Sequence, residues 1–276
     1  MTKSINIKNT VSDTAFLTNW ARALHPDISN DPWANLWVTD RTKKIGEEFQ
    51  STVSPYESYL TSLRNRYFLE DLKMFFLKNE GVFCNIASGF TSYSWQLPEN
   101  IECYEIDLPN VLSFKKSRIE EWQIEGKFPK RPVHFAPLDL SNKEDFKKFI
   151  AGGFGSKPIY FLLEGVLYYL DQSVVHNILL SIAQLPIKII RIGLVYWSNE
   201  FSKTEVFQRM SSYFRDTYQI EVGSYTIFER DFFEKIQGLK ITESTNFIEL
   251  GKKYAPDQDF QKPKIFEETF LILERK

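Results

Sequence analysis

The stretch Val82-Phe83-Cys84-Asn85-Ile86-Ala87-Ser88-Gly89-Phe90 constrains the fold more than any other part of the chain. It reads as a buried strand running into a turn of small residues. A second strand, Ile101-Glu102-Cys103-Tyr104-Glu105-Ile106-Asp107, follows and ends in carboxylates. Strand, tight turn, helix, strand, acid is how a parallel α/β sheet builds a nucleoside pocket. The small residues, Ala87 and Gly89 among them, let the backbone approach the ligand, and the acid can hold a ribose diol.

The pattern repeats downstream. Apolar strand-like runs at 133–138, 158–163 and 187–195 alternate with helix-like segments at 111–123, 141–150 and 172–184. This alternation predicts an α/β fold: a doubly wound, mostly parallel, Rossmann-like sheet with helices on both faces. Ligands bind such sheets at the carboxyl ends of the strands. Three successive ends carry an acid, at Asp107, Asp139 and Glu164, and one polar ligand lying across them explains all three. Further helices are expected at 201–220 and 228–236, and a terminal strand at 266–275. Residues 1–60 are aromatic, interrupted by Pro26, Pro32 and Pro55, and otherwise irregular. A helix over 13–24 takes Ser12 or Asp13 as its cap. Ser54-Pro55-Tyr56-Glu57 opens the helix over 57–79, which carries Arg64 and Arg66 toward the pocket. The reading is one domain over 1–276, with 1–60 as an N-terminal helical cap that packs on the core, covers the pocket as a lid, or does both.

The net charge of −2 is mixed along the chain, so no nucleic-acid partner is expected. No apolar run reaches the roughly 18 residues of a membrane span, and Met1-Thr2-Lys3-Ser4-Ile5-Asn6 lacks the apolar stretch of a signal peptide. A soluble, cytoplasmic protein is expected. Cys84 and Cys103 read as buried free thiols on neighbouring strands. With His25, His134 and His176 scattered, the ligand count is too low for a zinc site, and no metal is expected.

Three stretches together resemble the leucine carboxyl methyltransferase family. They are Asn85-Ile86-Ala87-Ser88-Gly89-Phe90, Tyr104-Glu105-Ile106-Asp107-Leu108-Pro109-Asn110-Val111 and Leu163-Glu164-Gly165-Val166-Leu167-Tyr168-Tyr169-Leu170. Arg64-Asn65-Arg66-Tyr67 and Asp139-Leu140 match two weaker family positions. The resemblance covers about residues 57–215. It implies a class I methyltransferase fold with S-adenosylmethionine as cofactor. Arg64 then looks like the partner of the cofactor's carboxylate, with Arg66 as second choice. Asp107 looks like the acid on the ribose hydroxyls, Asp139 and Leu140 like adenine contacts, and Glu164 like the acid near the methionine part.

The chain departs from the family's usual Asn-Leu-Gly-Ala-Gly-Leu-Asp-Thr-Arg. Ala87 replaces the first glycine, and Thr91, Ser92 and Tyr93 stand where Asp-Thr-Arg would be. A negative φ at Ala87 makes the change cheap, whereas a positive φ strains the turn. Two functional readings follow. The first is an O-methyltransferase acting on a small molecule, at a carboxylate that needs no general base. Tyr168, Tyr196 and Trp197 are its candidate pocket wall, and Arg191 its candidate acceptor cation. The second is a methyltransferase fold that has become a non-catalytic binding protein. An NAD-dependent oxidoreductase fits less well, because the turn lacks GxGxxG. Oligomeric state is not readable from these features.

Overall fold

Seven strands form one sheet in the computed structural model, which describes the backbone of residues 7–218 and 225–276 and the side chains of 15–217 and 225–276. The strands are β1 Val82–Ile86, β2 Glu102–Asp107, β3 His134–Pro137, β4 Ile159–Leu163, β5 Ile190–Tyr196, β6 Leu239–Asn246 and β7 Thr269–Arg275. Their order is β3-β2-β1-β4-β5-β7-β6. β1 to β5 run parallel, and β7 inserts antiparallel between β5 and β6. β1 and β4 sit at the centre and are buried at every residue, as expected of continuous apolar runs covered on both faces. β3 is short, partly exposed, and ends on Pro137, all of which suit a sheet edge.

Four helices precede the sheet: α1 Ile7–Leu24, α2 Pro26–Ser29, α3 Asp40–Thr52 and α4 Glu57–Lys78. The others are α5 Pro109–Ile124, α6 Lys143–Ala151, α7 Gln172–Ala183, α8 Asn199–Ser202, α9 Glu205–Tyr218, α10 Arg230–Glu234 and α11 Phe247–Tyr254. Alternation along the strands divides the core between the two faces. Tyr160 and Leu162 of β4 join Leu63, Phe68 and Leu72 of α4. Phe161 and Leu163 join Val175, Leu179 and Ile182 of α7. The doubly wound, mostly parallel Rossmann-like sheet is therefore as the sequence predicts. Among the described residues, no helix is long and apolar enough to cross a membrane.

The structure corrects several local expectations. The N-terminal segment is more regular than its prolines suggest. α3 is opened by a capping box in which the Thr39 hydroxyl accepts the Thr42 N–H and Thr42 reciprocates. α1 starts at Ile7, so Ser12 and Asp13 lie inside it instead of capping it. No α-helix joins β1 to β2; the crossover holds only a 3-10 turn, Tyr93–Gln96, with Pro98 soon after. The helix expected over 201–220 divides into α8 and α9, and its last two residues lie outside the described ones. β6 and α11 have no counterpart in the sequence reading. β6 is a polar, half-exposed edge strand, so it lacks the apolar signature of a core strand.

Candidate active site

The carboxyl ends of β1, β2 and β4 open on one cavity of about 110 Å³. Ala15, Thr18 and Arg22 of α1 form one side, spaced so that they share a helical face. The turn after β1 forms the floor. Ser88 N–H donates to the Ile106 carbonyl (3.0 Å) and Gly89 N–H to Asp107 Oδ2 (2.8 Å). Asp107 Oδ1 accepts Leu108 N–H at 2.7 Å. Burial pushes the Asp107 carboxyl up, and these two amides oppose the shift. Beneath the turn Lys115 is fully buried, 2.5 Å from Glu105 Oε2 and 3.5 Å from the Ser88 carbonyl. Ser94 and Asn85 also donate to Glu105. The turn thus rests on a buried ion pair.

Ala87 lines the cavity with φ +53°, the left-handed region. This is the strained alternative for a residue with a Cβ, at a cost of about 1 kcal/mol. Ala87→Gly should relieve it, partly offset by the greater freedom of the unfolded chain. The expected rise in Tm by calorimetry is about 1 to 3 °C. A fall in Tm would mean that the turn is not strained at Ala87.

Arg64 is the hub of the opposite wall. It projects from α4, almost wholly buried, and donates from Nε to Glu164 Oε1 and from Nη1 to Glu268 Oε2, both at 2.8 Å. The Tyr93 hydroxyl donates to Glu164 Oε2 (2.6 Å). Trp197 Nε1 donates to Glu268 Oε1 (3.1 Å), and its ring stacks on Tyr168 at 3.8 Å and 11°. Gly165 has φ +70°, and a Cβ there would stand 3.2 Å from the Tyr168 hydroxyl, so only glycine turns the chain out of β4 at this wall. Glu57 is buried beside the hub, where burial and then Glu268 push its carboxyl up to about 8, against Arg64 and Thr61.

Several candidate residues meet in the cavity: Arg64, Ala87, Gly89, Asp107, Glu164 and Tyr168 all line it. Others are placed elsewhere. Arg66, two positions along α4 and so on its far side, pairs with Glu70 and faces the Tyr254 ring. Asp139 is exposed and accepts from the backbone and hydroxyl of Ser141, while Leu140 is buried in the core; neither lines the cavity. Tyr196 points to the face opposite Trp197, against Phe233, as strand alternation requires. Arg191 lies near the amino end of β5, where it pairs with Asp71, Glu243 and Glu274, at the other end of the sheet.

Two groups escaped the sequence reading. Glu268 comes from the loop before β7, far along the chain. Arg22 is fully buried and lines the cavity, with Nε on Asp31 (3.0 Å) and Nη2 on Asn19 (2.5 Å). Its Nη1 has no partner among the described residues. The only signal for it was a cation on the inner face of α1.

The leucine carboxyl methyltransferase profile matches residues 12–183, more than half of the chain and every cavity residue named above. The chain belongs to the leucine carboxyl methyltransferase family. A Mycobacterium tuberculosis relative assigned as an S-adenosyl-L-methionine-dependent methyltransferase is 28% identical over 187 residues, 59% of this chain and 58% of the relative. A Mycobacterium avium relative with the same assignment is 35% identical over 92 residues, 32% of this chain and 28% of the relative. This family member thus spans about half the length, or less, of the curated relatives it matches. Two crystal structures share its fold at 12% identity. One, from Streptomyces avermitilis, has a TM-score of 0.63 and covers 95% of this chain and 97% of its own. The other, titled as a methyltransferase from Thermobifida fusca, has a TM-score of 0.58 and covers 91% and 94%.

Proposed function

We propose that this family member is an S-adenosylmethionine-dependent O-methyltransferase acting on a small-molecule carboxylate. The observation that carries the reading is Asp107. It is a buried carboxylate at the end of β2, held by Gly89 and Leu108 N–H groups at the edge of the cavity. Such a group is suited to a ribose diol. The remaining donor set fits the same cofactor. The orphaned Nη1 of Arg22 is a buried cation without its full complement of acceptors, as a methionine carboxylate would supply. Arg64 is already shared by Glu164 and Glu268, so we assign it to holding Glu164 toward the cofactor's ammonium group. We keep Asp139, exposed just beyond β3, as the proposed adenine contact; Leu140 is buried in the core and is not assigned one.

The cavity is smaller than the roughly 300 Å³ or more of a typical small-molecule site. We assign the N-terminal cap, whose helix α1 forms one side of the cavity, the role of a lid that opens for cofactor entry. When bound, S-adenosylmethionine supplies an electrophilic methyl group. The chain's part is to bind, align and exclude water. The cavity's carboxylates are already committed: Asp107 to two amides, Glu164 to Arg64 and Tyr93. Both are further assigned to the cofactor, which leaves neither to take a proton from a phenol, whereas an ionised carboxylate acceptor needs no base. Tyr168, which lines the cavity with the Trp197 ring stacked behind it, forms a wall for an apolar acceptor body. Tritiated methyl from S-adenosylmethionine should pass to hydrophobic carboxylic acids and be released by mild alkali, as a methyl ester requires. Alkali-stable label, or label confined to phenols, would contradict the carboxylate assignment.

A further inference from the structure

We propose that the surplus of carboxylates around Arg64, completed by Glu268, selects the sulfonium cofactor over its neutral thioether product. The inference rests on the S-adenosylmethionine reading of the cavity. Arg64 contributes one positive charge, and Glu164 and Glu268 each contact it at 2.8 Å with side chains 5% and 1% exposed. Tyr93 and Trp197 donate hydrogen bonds to the two carboxylates without neutralising either. Burial also holds the Tyr168 and Tyr93 phenols protonated.

Glu57 decides the charge of the cluster. Its Oε1 accepts from Thr61 at 3.2 Å, and its Oε2 is buried with no partner among the described residues. The charged and titratable groups that face it are Glu268 and Tyr168, with Arg64 on its own helix. Its carboxyl, pushed up to about 8, is mostly neutral at pH 7. One guanidinium then faces two buried carboxyl groups, Glu164 and Glu268, a surplus of one acidic group over basic ones. The neighbouring ion pairs do not cancel it, because Lys115 is matched by Glu105 and Arg22 by Asp31.

A buried unbalanced charge is costly unless a counter-charge arrives. The cofactor brings a sulfonium and the demethylated product does not, so the surplus acts on one and not on the other. A unit charge acting through an effective dielectric of about 20 changes a binding constant by roughly tenfold or more. Glu268 is well placed to hold that charge without touching the ligand. It lies outside the cavity lining and is fixed by Arg64 and Trp197.

The test is titration calorimetry at pH 7 with S-adenosylmethionine and S-adenosylhomocysteine, read as the ratio of the two affinities. In Glu268→Gln the preference for the sulfonium should fall about tenfold, with product affinity changing less. Glu57→Gln, which mimics the neutral acid, should leave the ratio within about twofold. A purely structural role for Glu268 would weaken both ligands together and leave the ratio unchanged, which overturns the inference. Should Glu268→Gln fail to fold, Glu164→Gln removes the same charge and must lower the ratio; an unchanged ratio there overturns it equally. Failure of the wild-type protein to bind either ligand would instead sink the cofactor reading on which the inference rests.

Discussion

Arg64→Ala is expected to unfold the protein at markedly lower denaturant and to abolish cofactor binding. The guanidinium is the shared partner of Glu164 and Glu268, and all three side chains are almost wholly buried. Removing it leaves two carboxylates out of water with no counter-charge, a change that costs about 3–5 kcal/mol for a single broken buried pair. Against a typical stability of about 5–15 kcal/mol, that is a large share. Arg64→Lys keeps the charge but not the planar fork that reaches both carboxylates, so it should recover only part of the loss. Urea unfolding followed by circular dichroism measures the effect as a lower midpoint at unchanged slope. A loss below about 1 kcal/mol, the range of a solvent-exposed pair, would mean that Arg64 is not the buried hub described above.

Asp107→Ala should carry the second large effect, on binding more than on folding. The substitution removes the acceptor for Gly89 N–H and Leu108 N–H and with them the geometry of the turn. It also removes the carboxylate assigned to the ribose hydroxyls. Hydrogen bonds to a charged group contribute about 1.5–3 kcal/mol each, so losing a bidentate pair should weaken S-adenosylmethionine binding by about a hundredfold or more. Asp107→Asn retains an acceptor and should fall between the two. Calorimetric titration of both variants measures this. Wild-type affinity in Asp107→Ala would remove Asp107 from the cofactor site.

The sheet was legible because its central strands are buried on both faces and so appear as unbroken apolar runs in 82–86 and 159–163. The same was not true of β6, whose exposed Thr242, Glu243 and Ser244 look like loop. α3 was hidden because its cap is Thr39 with Thr42, not the Ser/Thr-x-x-Glu pattern. The cavity residues next to strand ends, Asp107 and Glu164, could be found from local pattern alone. Arg22 and Glu268 could not, since their importance arises from contacts across the fold, Arg22 with Asp31 and the cavity, Glu268 with Arg64 204 positions earlier. Arg66 and Arg191 show the converse. Both are cations at suggestive places in the chain, and helix periodicity in one case and strand polarity in the other take them away from the cavity.

The most direct test of the account is titration of the purified wild-type protein with S-adenosylmethionine, repeated with S-adenosylhomocysteine and followed by a thermal melt with each ligand. The account expects micromolar binding of both, tighter for S-adenosylmethionine, and a raised Tm, because a ligand that binds only the folded state stabilises it. Absence of heat and of any Tm shift with either ligand would contradict it, and would favour a methyltransferase fold that serves as a non-catalytic binding protein.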